Sequence, residues 1–319
     1  MIKKNKSVYL RIGTRHIVFL LKITTILVVL ILAFFIYIRA KKDTIPYISI
    51  GFATDPVLIV FFNKEENSLM SISVPASTNI DVTGNSGLYK LSSVWELSLL
   101  DETKGEVFKN SLETAIGVPI SYFYGFGAEI RSDSDQNNLD ICTIESLYKY
   151  INKSYISDIS VNDYISFCWS KMFLEESDID EIEIIDQSYF EKIVFPDGSK
   201  GSIFNLGRID NLLDRYLEIN SLRNENLSIA FFNNTDAQGL SSRVSRIFTK
   251  IGIRVVSAQV GEESVKNCLI SGNKDALESL SANIIGSMLG CGSKEVDNIS
   301  GVDISVYLGD EVAKNYSIR

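Results

Sequence analysis

The sequence is poor in the side chains that metal sites and acid–base mechanisms use most often. Its 319 residues include a single histidine, His16, and four cysteines. The cysteines are Cys142, Cys168, Cys268 and Cys291, and none of them shows the C-x-x-C spacing that is typical of zinc sites. We therefore expect no zinc site, and no histidine base or histidine-containing triad, beyond the first residues of the chain.

Acidic residues are absent from the N-terminal end and abundant elsewhere. Residues 1–42 contain nine Lys and Arg and no Asp or Glu. The rest of the chain holds the other 22 cations against 40 anions, a net charge of −18. Such an excess of negative charge favours solubility and repels nucleic acid and other anionic polymers. We expect no nucleic-acid partner.

One long apolar run, Ile17–Ile38, stands near the N-terminus and carries a single charge at Lys22. About 20 apolar residues suffice to cross a bilayer, so the run predicts a transmembrane helix with the lipid bilayer as partner. Five cations precede the run and three follow it, which favours a cytoplasmic N-terminal tail at residues 1–16. The expected localisation is single-pass in the cell membrane, with a tether at 39–45 and the bulk of the chain extracytoplasmic.

The remainder predicts two α/β domains. Short β-branched and aromatic runs at Tyr47–Phe52, Val57–Phe62 and Ser68–Val74 predict strands. Apolar positions at helical spacing predict helices, among them Leu91–Leu100, Glu106–Ile116, Val161–Phe173 and Ile209–Ile219. The polar stretch at 220–226 predicts a linker between a first domain at 46–219 and a second at 227–319.

Three motifs in the first domain carry a family resemblance. They are ISVPAST, which ends at Thr78, KLS, which begins at Lys90, and ETAIGVPISYFYGF, which ends at Phe126. With the order of strands and helices, they resemble the LytR-CpsA-Psr family of bacterial envelope proteins over about residues 46–127. The resemblance implies an α/β/α domain. Members of that family transfer glycopolymers from a polyprenyl-pyrophosphate lipid to peptidoglycan.

The reactive side chains of that family are altered here. Ala76 and Ser77 stand where the family motif S-I-P-R-D-T has Arg and Asp, and Asp55 matches the acid of R-S-D-T without its Arg. Residues 43–130 contain no Arg at all. Because a pyrophosphate needs guanidinium groups or a metal to neutralise its charge, we interpret the domain as a degenerate copy and lean against an enzyme.

The second half predicts a small two-layer α/β domain with the order βα-β-βα-β. Its turn, which matches L-N-G-T-G in part, and its last strand, which reads D-I-x-V-x-L-G from Asp303, resemble the LytR C-terminal domain over about residues 226–312. That resemblance implies a wall-associated accessory module. The turn precedes a helix, so it either binds an anion at the helix N-terminus or caps that helix. The ligand-binding candidates are Asn233, Asn234, Thr235 and Gly239.

The even number of cysteines permits disulfides. Cys268 and Cys291 bracket the predicted helix Lys274–Leu289, so they can pair only if the chain folds back after that helix. Cys142 and Cys168 either pair or remain as buried thiols.

Two functional hypotheses stay open. The first is a non-catalytic, membrane-anchored extracytoplasmic cell-envelope protein that binds or scaffolds a cell-wall or envelope polymer or envelope proteins and needs no cofactor. The alternative is a divergent glycopolymer–peptidoglycan phosphotransferase that uses Asp55 with Mg²⁺, supported by Lys90 or Arg131.

Overall fold

The computed structural model describes residues 19, 21–32, 45–84, 86–100, 104–126, 142–143, 155–262, 265–296 and 301–318. Residues Met1–Asp43 and Thr44–Arg319 form two separate compact units. The labelled strands and helices below belong to the second unit, and the predicted tail at 1–16 lies outside the described residues.

The prediction of a transmembrane helix at Ile17–Ile38 is wrong. Among the described residues, no helix is both long enough and apolar enough to cross a membrane. The predicted single-pass membrane localisation depended on that helix, so the same finding contradicts it.

A six-stranded sheet organises the first half of the second unit. Its strands are β1 (Tyr47–Ala53), β2 (Val57–Asn63), β3 (Ser68–Val74), β6 (Tyr122–Phe126), β7 (Tyr155–Ser157) and β8 (Ile179–Glu183), in the order β7-β6-β1-β2-β3-β8. β1, β2 and β3 form an antiparallel meander, β6 runs parallel to β1, and β8 runs parallel to β3. Two hairpins accompany the sheet: β4 (Asn79–Val82) with β5 (Gly87–Lys90), and β9 (Phe190–Val194) with β10 (Lys200–Phe204).

Helices cover both faces of this sheet. They are α1 (Leu91–Leu100), α2 (Glu106–Ile116) and α3 (Val161–Lys171). Because successive strand residues point to opposite faces, β1 contributes Tyr47 to the core shared with α1 and α2, and Ile48 and Ile50 to the core shared with α3. The Ser160 hydroxyl caps the start of α3 by accepting from Asp163 N. The result is an α/β/α arrangement.

The second half contains a five-stranded sheet. Its strands are β11 (Ile229–Asn233), β12 (Val255–Val260), β13 (Leu269–Gly272), β14 (Gly292–Glu295) and β15 (Ile304–Leu308), in the order β12-β11-β15-β13-β14. The remaining helices are α4 (Leu206–Leu213), α5 (Asn220–Glu225), α6 (Leu240–Lys250), α7 (Lys274–Leu277), α8 (Leu280–Leu289) and α9 (Asp310–Tyr316). Helix α5 occupies most of the predicted linker, and one continuous apolar cluster joins the two halves.

Two disulfides join Cys142 to Cys168 and Cys268 to Cys291. Gly290 ends α8 in the left-handed conformation, with φ of 68°. The chain therefore turns back there, and β14 pairs in parallel with β13. This return brings Cys291 to the start of β13, where Cys268 lies.

Candidate functional site

The turn between β1 and β2 carries Asp55, the residue that matches the acid of R-S-D-T. Its side chain is exposed, and the Thr54 hydroxyl beside it donates a hydrogen bond to the Pro56 carbonyl at 2.7 Å. β2 pairs with β3 so that Val57 lies opposite Val74. The Asp55 turn and the segment that follows β3 therefore lie at the same end of the first sheet.

Two backbone hydrogen bonds close the segment after β3 against the start of α1. Leu91 N donates to Thr78 O at 2.8 Å, and Ser92 N donates to Ala76 O at 2.9 Å. Ala76 is 4% exposed and belongs to the apolar core, whereas Ser77 is exposed. The fold thus brings the ISVPAST and KLS segments together. Of the two altered positions, it buries Ala76 and exposes Ser77.

Lys90 completes this region. It ends β5 opposite Asn79 of β4, and its side chain is exposed. We call the exposed set of Asp55, Ser77 and Lys90 the motif end. Arg131, the other cation proposed for a transferase, lies outside the described residues.

The motif end does not fit a resident Mg²⁺ ion. Mg²⁺ demands octahedral oxygen coordination and is held through carboxylates together with substrate phosphates. Asp55 is the one carboxylate of the motif end, and the described part of the chain contains no group of three or more His, Cys, Asp or Glu that could hold a metal. No chemical step through a metal follows from these residues.

The second candidate, the turn Asn233–Gly239, is held by its own side chains. The Asn233 amide donates to Ala237 O at 2.6 Å, and its Oδ1 accepts from Thr235 N at 3.1 Å and Thr235 Oγ1 at 2.7 Å. Thr235 Oγ1 accepts in turn from Ala237 N at 3.2 Å. The polar atoms of Asn233 and Thr235 are therefore engaged within the turn itself.

The remaining residues of this turn are fixed by the second sheet. Asn234 N donates to Leu308 O of β15 at 3.0 Å, and the Asn234 amide packs against Gly261, where a Cβ atom would collide with it. Gly239 precedes α6 in the left-handed conformation, with φ of 66°, and no side chain caps the helix. The sequence suggested Thr235 or Asp236 as a cap for this helix, and the structure shows neither in that role.

A polar junction between the two halves was missed by sequence reasoning. Arg246 of α6 donates from Nε and Nη2 to Asp210 of α4 at 2.9 and 2.7 Å. It also donates from Nη1 to Thr114 O and from Nη2 to Ile116 O, both at 3.0 Å, and so satisfies the last carbonyls of α2. Gly117, with φ of 76°, ends α2 against this guanidinium, where a Cβ atom would lie 2.8 Å from Cζ.

Lys250 lies one turn beyond Arg246 on α6 and extends the junction. Its Nζ donates to Asp210 O at 2.9 Å and to Asp214 Oδ1 at 2.5 Å, although the residue is only 4% exposed. Burial raises the pKa of Asp210, but the bonds from Arg246 and the nearby Lys250 outweigh it and hold that pKa below its usual value. We call Asp210, Arg246 and Lys250 the junction cluster.

Part of the junction cluster could be predicted from the sequence. Arg246 and Lys250 are four residues apart on a predicted helix, and so are Asp210 and Asp214. Residues four apart on a helix share a face, so the sequence predicts that the members of each pair lie side by side. The pairing of one face with the other spans 36 residues and depends on the tertiary structure.

No protein-family model matches the sequence, and no curated protein sequence matches it. The chain is similar to the solved structure of the Lin1025 protein from Listeria innocua, with 13% identity, coverage of 54% of this chain and 97% of that chain, and a TM-score of 0.39.

It is also similar to TagV from B. subtilis, with 10% identity, coverage of 52% and 94%, and a TM-score of 0.38. A structure of TagT bound to LI-WTA shows 12% identity, coverage of 52% and 88%, and a TM-score of 0.36. These neighbours are LytR-CpsA-Psr proteins, the family that the first-half motifs resemble. At such identities and TM-scores, the likeness alone assigns neither a family nor a function to this chain.

Proposed function

We propose that this protein is a non-catalytic relative of the LytR-CpsA-Psr family that binds a cell-wall or envelope glycopolymer at its motif end. The observation that carries the proposal is the position of Ala76. The family motif has an Arg there, but here the side chain is buried and its backbone closes the loop against Ser92. A guanidinium at this position would have to leave the core before it could meet a phosphate.

The exposed part of the motif end suits binding better than phosphoryl transfer. Lys90 offers one ammonium group to an anionic polymer, and Asp55 and Ser77 offer hydrogen bonds to sugar hydroxyls. Transfer from a pyrophosphate donor would need several fixed positive charges to stabilise the charge that develops as the bond breaks. We place binding here rather than at Asn233–Gly239, because the polar atoms of Asn233 and Thr235 are already engaged.

The junction cluster supports a scaffolding role. Arg246 and Lys250 tie the predicted accessory module at 227–319 to α2 and α4 of the first domain. Two modules held in this way present their surfaces at a fixed distance and angle, as a scaffold for a long polymer requires. Binding at one module then positions the polymer relative to the other.

The alternative proposal is a divergent glycopolymer–peptidoglycan phosphotransferase. It is favoured by the arrangement of the Asp55 turn, the ISVPAST segment and the KLS segment, which all lie at one end of the first sheet. In that case Asp55 would have to take part in the reaction, with Arg131 or Lys90 as the cation.

One experiment separates the two proposals. The full-length protein is mixed with labelled glycopolymer and, separately, with a labelled polyprenyl-pyrophosphate-linked glycopolymer and peptidoglycan. We expect binding of the free polymer and no transfer of label to peptidoglycan. Lys90→Ala should weaken binding about threefold to tenfold, the value of one exposed charge-assisted hydrogen bond.

The matched control is Lys64→Ala. Lys64 follows β2 at the opposite end of the first sheet, so its loss removes the same charge away from the motif end. Equal weakening by both substitutions would mean that binding is not located at the motif end. Transfer of label by the native protein that is lost in Asp55→Ala would overturn the non-catalytic proposal and establish the transferase.

A further inference from the structure

Glu113 is a carboxylic acid buried at the contact between the two halves. It lies on α2 and is 1% exposed. Tyr316 of α9 donates from its hydroxyl to Glu113 Oε2 at 3.1 Å, and Ile120 N donates to Oε1 at 3.3 Å. The side chain therefore joins the last helix of the chain to a helix of the first domain.

The groups nearest to Glu113 do not neutralise its charge directly. Tyr47 of β1 faces it from the sheet and is buried, with its hydroxyl donating to Met288 Sδ at 3.2 Å. Lys109 lies one turn earlier on α2 and acts on Glu113 by its charge, but its ammonium pairs with Asp158 at 3.3 Å.

The charged groups on the surrounding elements are paired among themselves. On α6, Arg246 and Lys250 engage Asp210 of α4. Arg243, also on α6, donates from Nε to Tyr316 O at 3.2 Å and is attracted by Asp81 of β4. These groups hold α9 and α6 in place without supplying a counter-ion to Glu113.

Burial raises the pKa of Glu113 to about 7, although Lys109, Ile120 and Tyr316 each act to lower it. A carboxyl whose pKa is higher in the folded state adds stability at pH values below its unfolded pKa, near 4.5. That stability is lost as the pH rises through the folded value. Ionisation near neutral pH then leaves a charge in an apolar contact.

We propose that Glu113 and Tyr316 form a pH-dependent latch that fastens α9, the helix that follows β15, to α2 of the first domain. The Tyr316 bond itself favours the carboxylate, but the cost of burying a charge at a side chain that is 1% exposed is larger. The latch is therefore tight when Glu113 is neutral and loosens when Glu113 ionises. Two other contacts do not depend on Glu113: Gly84 N donates to Ser317 O at 2.9 Å, and the junction cluster pairs α6 with α4. We therefore expect a change of pH around neutrality to loosen the C-terminal helix locally and not to detach it.

The test is amide hydrogen exchange of residues 310–316 in the full-length protein, corrected for the intrinsic pH dependence of exchange. Between about pH 6 and about pH 8.5, protection in α9 should fall about tenfold. Glu113→Gln should abolish this fall. Glu106→Gln, on the exposed side of the same helix, should leave it unchanged.

A second variant keeps the proposal testable if Glu113→Gln does not fold. Tyr316→Phe removes a hydrogen bond that favours the ionised carboxylate, so the midpoint of the fall should move to higher pH. A fall of the same size in Glu113→Gln would overturn the latch, and so would an unchanged midpoint in Tyr316→Phe.

Discussion

The motif end and the junction cluster use charged residues in opposite ways. At the motif end, Asp55 and Lys90 are exposed on a turn and a strand end. In the junction cluster, Lys250 is almost completely buried, and Arg246 meets both a carboxylate and two helix carbonyls. Charges of the first kind contribute little to stability and are available to a ligand, whereas charges of the second kind are committed to the fold.

The two regions also differ in the interactions that hold them. The segment that resembles a reactive motif is closed by backbone hydrogen bonds at Ala76 and Thr78, and it exposes Ser77 between them. The contact between the halves instead contains a dense polar network. Substitutions should therefore cost stability at the junction and change ligand binding at the motif end.

The largest effect is expected for Arg246→Ala. It leaves the carbonyls of Thr114 and Ile116 without this donor and the Asp210 carboxylate with Lys250 as its remaining cation, which should cost about 3 kcal/mol of the free energy of unfolding. Urea unfolding measures the loss. The matched control is Arg223→Ala, whose partner Glu218 is exposed, and it should cost less than about 0.5 kcal/mol. Equal losses would remove the distinction between the two kinds of charge.

A smaller effect is expected when the arginine of the motif S-I-P-R-D-T is introduced at Ala76. Ala76→Arg forces a long charged side chain into a position that is 4% exposed, at an expected cost of about 2 kcal/mol in unfolding free energy. Ser77→Arg places the same side chain on the surface one residue later and should change stability by less than about 0.5 kcal/mol. If Ala76→Arg were neutral, burial would not be the reason for the missing Arg.

The smallest effects on stability belong to the motif end itself. Asp55→Ala and Lys90→Ala each remove an exposed side chain, so each should alter the free energy of unfolding by less than about 0.5 kcal/mol. Thermal unfolding at fixed pH checks this, beside the binding assay described above. A loss of more than about 1 kcal/mol would show that these side chains serve the fold.

Strong local patterns predicted much of the first sheet. The runs at Tyr47, Val57 and Ser68 become β1, β2 and β3 within a residue of the expected bounds, because short β-branched and aromatic runs have few alternatives. Helices α1 and α2 were also predicted, and the structure confirms them. The expectation of a membrane-spanning helix was wrong, since no helix among the described residues is long and apolar enough to cross a membrane.

Elements that depend on distant partners were not predictable. Glu175–Glu183 reads as a solvated acidic run, yet Ile179 and Ile182 pair with β3 and make β8 an edge strand. The predicted helix Ile209–Ile219 ends at Leu213 in the structure. In both cases tertiary contacts override the local pattern.

The candidate sites were predicted only as residue sets. The sequence could align Asp55, Ala76 and Lys90 with motifs, but it could not show that Ala76 is buried while the other two are exposed. Glu113 gave no distinguishing pattern, because its partner Tyr316 is more than 100 residues away. Arg246 was visible as one of a pair of cations on a helix face, but its contact with Thr114, also more than 100 residues away, was not.

The most direct test of this account is hydrogen exchange of the two central strands, β2 and β11, in increasing concentrations of urea. If the junction makes the two halves one cooperative structure, amides of both strands will show the same opening free energy and the same dependence on urea. Exchange of β11 at a clearly lower free energy, while β2 stays protected, would contradict the account and show that the second module opens independently.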